Sequence, residues 1–149
     1  MGIKPDLLDQ QRANLRKLAA YLRTLPANYP DFEMNDFVRF DGSGKYVFAS
    51  VTPCGTAACA VGHGPKAGIS PIGCENWTSY SHRCFIDADD GADNEEAWEW
   101  CFGGSWSYVD NTVHGAAARI EYMLQYGVPS DSWAQRSGDA ALSYSAEVA

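Results

Sequence analysis

The chain is poor in the features that most readily assign a protein to a class. No stretch of about 18 consecutive apolar residues is available to span a bilayer, and the start, Met1-Gly-Ile-Lys-Pro-Asp-Leu-Leu-Asp-Gln-Gln, has none of the apolar character of a secretory signal. A cytoplasmic location with no membrane partner is the expectation. Basic residues are scarce, 11 Lys+Arg against 19 Asp+Glu for a net charge of −8. That argues against duplex nucleic acid, whose non-specific affinity comes from Lys and Arg displacing counterions. Histidines number only 3, no Cys-x2-Cys pair occurs, and no Gly-Lys-Ser/Thr follows the glycines, so neither a structural zinc motif nor a P-loop is present.

What is present describes one domain. A chain of 149 residues with 46% hydrophobic content can bury a core without disulfides or metals. Its 5 cysteines (54, 59, 74, 84 and 101) are odd in number and are expected as reduced thiols. Were Cys54 and Cys59 on one helix, their Cα atoms would lie more than about 7 Å apart, too far to bridge.

Leu8, Leu15, Leu18, Leu22 and Leu25 recur at helical spacing and predict an amphipathic helix over 5–25, ended by Pro26. Its other face carries Arg12, Arg16, Lys17 and Arg23 and reads as a solvated face, with an acidic partner surface such as the run Asp87 to Glu99 as the alternative. Phe37-Val-Arg-Phe40 and Lys45 to Val51 flank Asp41-Gly-Ser-Gly44, the pattern of a β-hairpin. The small residues Cys54 to His63 predict a short helix stopped by Gly64-Pro65, and 76–82 a helical turn. A further helix is expected over 94–102, with Glu95 and Glu96 in its first turn. Thr112 to Tyr126 is the best-marked helix, with Asp110, Asn111 or Thr112 as its cap and Gly127-Val-Pro129 as its stop. The pattern predicts a single α+β domain over 1–129, with three to four helices packed around a small antiparallel β-hairpin, followed by a partly ordered tail over 130–149.

Three chemistries are open. The passage from strand to helix at Cys54-Gly-Thr-Ala57 offers free N–H groups and a helix dipole to an anion, with no large side chains in the way. Tight packing of small residues explains the same segment without any ligand. A thiol at such a helix start has a stabilised thiolate, so Cys54 with His63, His82 or His114 as base is a candidate pair for acyl transfer. Cys54, Cys59 and His63, completed by Cys74, His82 or Cys84, are candidate metal ligands, although the spacing is irregular for zinc. The run from Asp87 to Asp93 fails as a calcium loop, because Gly91 falls where an oxygen ligand belongs and Trp98 where the closing Glu should be.

Aromatic residues crowd between Trp77 and Tyr108. Most are expected in the core, with Trp100 and Trp106 the more exposed pair, able to stack on a nucleobase. Five tryptophans in one small domain also raise the expectation of a homo-oligomer.

Taken together, Cys54-Gly-Thr-x-x-Cys59-x-x-Gly62, the block Trp98-x-Trp100-x-Phe-Gly-x-x-Trp106 and Asp110-Asn-Thr112 opening a helix resemble small uncharacterised proteins of bacteriophages and bacteria. The resemblance spans about residues 10 to 129. It implies a phage or mobile-element origin and one domain, without a mechanism. Small phage proteins without metabolic motifs often act on host defence or host regulation, which is what the resemblance implies here. The leading expectation is therefore a non-catalytic accessory protein with no cofactor that binds a small anionic ligand, such as a nucleotide-derived immune signal. Cys54, Gly55, Thr56 and Ala57 would supply donors, Trp100 or Trp106 a stacking face, and Arg83 or Arg119 a counter-charge. The alternatives are a Cys54-dependent hydrolase or transferase, and an adaptor that blocks a host factor through its acidic loop.

Overall fold

The computed structural model describes residues 2–29, 32, 34, 60–72 and 76–144. The first helix, α1 (Asp9–Thr24), buries Leu15, Leu18, Ala19 and Leu22. It begins later than the leucine spacing predicts: Pro5 to Leu8 precede it, and Leu8 is 69% exposed rather than on the buried face. It stops because Leu25 is extended (φ −83°, ψ 151°), the conformation that a following proline imposes.

From residue 60 the described chain forms two 3₁₀ turns, Val61–His63 and Pro65–Ala67, so Gly64-Pro65 continues the turn where a stop was expected. Helix α2 (Trp77–Cys84) is opened by a reciprocal cap, with Ser79 N–H donating to Asn76 Oδ1 (2.8 Å) and Asn76 N–H to Ser79 Oγ (3.1 Å). Helix α3 (Ala92–Phe102) follows and runs into a 3₁₀ turn at Gly104–Tyr108. Helix α4 (Val113–Tyr126) takes Thr112 as its cap, with Gly115 N–H donating to Thr112 Oγ1 (3.0 Å). Gly127 ends it with φ +83°, a left-handed conformation open to glycine. A short helix, α5 (Ser132–Ser137), comes last.

These five α-helices and three 3₁₀ turns replace the expected α+β architecture: among the described residues there is no strand, and Ile3 meets Val128 in an isolated bridge. The segment read as a hairpin, 37–51, lies outside the described residues. The helical outcome has a physical basis in the 3.6-residue spacing of the apolar positions, whose stripes are buried by packing helix on helix.

Helix α4 packs chiefly on α1. Its run Gly115-Ala-Ala-Ala118 is buried, and such small side chains let a neighbouring helix come close. On the basic face of α1, Arg16 and Lys17 are exposed, and Arg23 grips Glu121 of α4 with two bonds (2.6 and 3.2 Å). The buried Gln11 and its neighbour Asn14 on α1 donate to the carbonyls of His82 and Cys84 (3.0 Å each), oxygens left open where α2 ends. Asn94 of α3 pins the N-terminal arm, accepting from Asp6 N–H (2.7 Å) and donating to Asp6 O (3.1 Å).

The core is aromatic. Trp77, Tyr80, Phe85, Trp100, Phe102 and Trp106 are all no more than 2% exposed. The segment expected as a tail contributes to it: beyond α5 the chain returns Tyr144 to the core, where its ring meets Trp100 and Trp106 edge-on at 5.6 and 5.7 Å.

Candidate functional site

Cys54, Gly55, Thr56, Ala57, Cys59 and Cys74 lie outside the described residues. The other expected site residues are dispersed. His63 is buried against the rings of Tyr29 and Phe32 (5.8 and 5.7 Å). His114 sits in the first turn of α4, its Nε2 engaged by the Leu25 carbonyl at 2.7 Å. Arg83 is exposed on α2 and donates through Nη2 to the Ser70 carbonyl (3.2 Å). Cys84 and Cys101 are buried in the core outside any disulfide, and burial pushes the Cys101 thiol far up, with Arg119 only partly opposing it.

Trp100 and Trp106, expected to be the more exposed pair, are wholly buried and pack edge-on at 5.5 Å. Their indole N–H groups are consumed by backbone, Trp100 donating to Arg119 O (3.0 Å) and Trp106 to Trp100 O (2.8 Å). Neither ring offers a face to a ligand. Trp100 lies at the buried end of α3, Trp106 packs back onto it after the glycines that follow Phe102, and Tyr144 from beyond α5 meets both rings.

Arg119, expected as a counter-charge, is also interior. Its guanidinium lies 4.2 Å from the centre of the Trp106 ring, and its Nη1 donates to Tyr144 Oη (2.9 Å) and lies 3.4 Å from Asp110 Oδ2. Tyr144 in turn donates to Asp110 Oδ2 (3.0 Å), while Thr112 Oγ1 donates to Oδ1 (2.6 Å). Burial pushes the Tyr144 phenol up to about 12, with Arg119 lowering and Asp110 raising it, so the hydroxyl keeps its proton and remains a donor. Arg119 and Asp110 thus neutralise each other inside the fold. Asp110 was legible only as a possible cap, and nothing in the Ser/Ala-rich end of the chain distinguished Tyr144.

The polar residues at the surface gather elsewhere. At the end of α2, His82 Nδ1 lies 3.6 Å from Asp87 Oδ1 and 3.7 Å from Asp89 Oδ2, and Trp98 meets the imidazole edge-on. One imidazole and two carboxylates within 4.8 Å are a donor set that a divalent cation can use, although exposed acidic groups commonly gather without one. From there the acidic run continues outward: Asp89, Asp90, Asp93 and Glu95 are exposed, and no lysine or arginine among the described residues pairs with them.

Further along α3, the carboxylates turn to structural use. Arg136 of α5 bonds Glu96 (2.9 Å) and lies 3.8 Å from Glu99, while Ser132 also donates to Glu96. Burial works to raise the Glu96 carboxyl, but the bonds from Ser132 and Arg136 and the Arg136 charge outweigh it and hold it below its ordinary range. Glu99 lies above its range, through burial and the charges of Glu96 and Glu95, against the pull of Arg136.

No protein-family model, curated protein or solved structure matches the chain. No helix among the described residues is long and apolar enough to cross a membrane.

Proposed function

We propose that the chain is a non-enzymatic binding protein, of the phage accessory type its motifs resemble, that engages a basic surface of a partner protein through the acidic face of the 87–91 loop and the first turn of α3. One observation carries this reading: four carboxylates, Asp89, Asp90, Asp93 and Glu95, are displayed together, while the nearby arginine is engaged with Glu96 and Glu99. Asn94 holds the two parts of this face in register, its Nδ2 donating to the Asp87 carbonyl (3.1 Å). A preset array of one charge sign steers an oppositely charged partner and speeds encounter, an effect that salt screens.

The reading centred on a small anionic ligand has less support, because Trp100, Trp106 and Arg119 are committed to the core and Arg83 is anchored to a backbone carbonyl. A dye-labelled lysine-rich peptide serves as the probe. It should bind with an affinity that falls steeply between 50 and 300 mM salt, and Asp89→Asn, Asp90→Asn and Asp93→Asn combined should weaken it by about tenfold, roughly the effect of removing modest rim charges. Binding that ignores salt, or that survives the triple substitution unchanged, refutes the assignment.

A further inference from the structure

Helix α4 carries a second surface, unrelated to the acidic face. Ala118, Tyr122, Gln125 and Tyr126 recur at the spacing of one helical stripe. Arg23 at the end of α1 and Tyr144 at the end of the described chain flank this stripe and complete a groove of about 450 Å³.

The make-up of the groove selects a class of ligand. Tyr122 and Tyr126 stand with ring centres 5.0 Å apart at 49°, and Tyr126 is 54% exposed, so part of its ring is open to a ligand. Tyr144, held from below by Arg119 and Asp110, is fixed in place before any ligand arrives. Ala118 keeps the stripe open, since it is the one lining residue on α4 with no side chain beyond Cβ. Gln125 is exposed and supplies both an amide donor and an acceptor. The charge at the rim is already balanced, because Arg23 is bonded bidentately to Glu121.

We infer that this groove is a binding site for a planar heteroaromatic ring of nucleobase type, held by stacking on the tyrosines and by the Gln125 amide. Rings of this class have a π-face to stack and edge groups that exchange hydrogen bonds with an amide, and tyrosine stacking tolerates many bases. Because Glu121 already answers Arg23, the groove recognises the ring itself and gives no large advantage to an attached phosphate. A nucleoside and its nucleotide therefore bind alike, which distinguishes this site from one built for an anion.

Equilibrium dialysis with adenosine, AMP and ribose 5-phosphate tests the inference. Adenosine and AMP should bind within about threefold of one another, and ribose 5-phosphate should not bind at the same concentrations. Tyr126→Ala should weaken both ring-bearing ligands by about tenfold or more, the lower part of the range for loss of one stacking partner, while Tyr126→Phe should retain binding. Tyr126 is half exposed, so its replacement should leave the circular dichroism and the melting midpoint unchanged, which separates lost binding from lost fold. The inference is overturned if neither ring binds at millimolar concentration, if ribose 5-phosphate binds as well as AMP, or if Tyr126→Ala binds undiminished. The acidic-face variant Asp89→Asn/Asp90→Asn/Asp93→Asn should bind adenosine as the parent does, so the two sites stand or fall separately.

Discussion

Gly115→Ala probes the buried charge pair without touching either charge. A Cβ at position 115 would stand 2.2 Å from Asp110 Oδ2 and 2.5 Å from its Cγ. A carboxylate is ordinarily free to swing away from such a contact, but here it is held by Arg119, Tyr144 and Thr112 at once. The added methyl therefore displaces Asp110 and leaves Arg119, whose side chain is 0% exposed, with no counter-charge. Breaking a buried ion pair from one side costs about 3–5 kcal/mol. Alanine in place of glycine within a helix returns about 0.5–1 kcal/mol. The expected net loss is about 2–4 kcal/mol, or a melting midpoint lower by roughly 5–15 °C for a chain of this size. The decisive comparison is made in an Asp110→Ala background. There the clash partner is gone, only the helix gain remains, and Gly115→Ala should stabilise by about 0.5–1 kcal/mol. Urea unfolding of the four proteins, with slopes compared to confirm that only stability changes, measures both terms. A Gly115→Ala effect that keeps its sign and size in the Asp110→Ala background would refute the reasoning.

The carboxylates facing Arg136 should titrate in opposite senses. Glu96 has a lowered carboxyl, so its contribution to stability is complete above the ordinary carboxylate range and is lost as pH falls through its folded value; Glu96→Gln should destabilise at pH 7 and become neutral at the acid end. Glu99 is raised, so its ionised form opposes folding at neutral pH; Glu99→Gln should stabilise at pH 7, with the gain vanishing once acid protonates the native carboxyl. Parallel pH-stability curves for the two variants would contradict the assignment. Cys84 and Cys101 are buried, and burial holds the Cys101 thiol protonated, so peptide mapping after iodoacetamide at pH 8 should find both unmodified in the folded protein and modified in urea. Native labelling of Cys101 would refute its burial.

Local signals determined a good part of this molecule. The leucine spacing and Pro26 define the body and end of α1, and Thr112 with Gly127 bounds α4 where a cap and a left-handed stop are expected. These features depend on residues within one or two helical turns, which is the range over which sequence spacing has a direct geometric meaning. The acidic face was legible for the same reason, since exposed charges on a short loop need no distant partner.

Tertiary structure alone decided which aromatic rings and which charges were available. Trp100 and Trp106 have the same composition and spacing whether they face water or the core, and their burial follows from Tyr144, which reaches them from the far end of the chain. Arg119 looks like any helical arginine until Asp110 and Tyr144 close around it. The tyrosine groove depends equally on Arg23 and Tyr144 reaching the same stripe of α4. Each of these is a contact between residues distant in sequence, and burial and charge compensation are properties of such neighbours rather than of the residue itself.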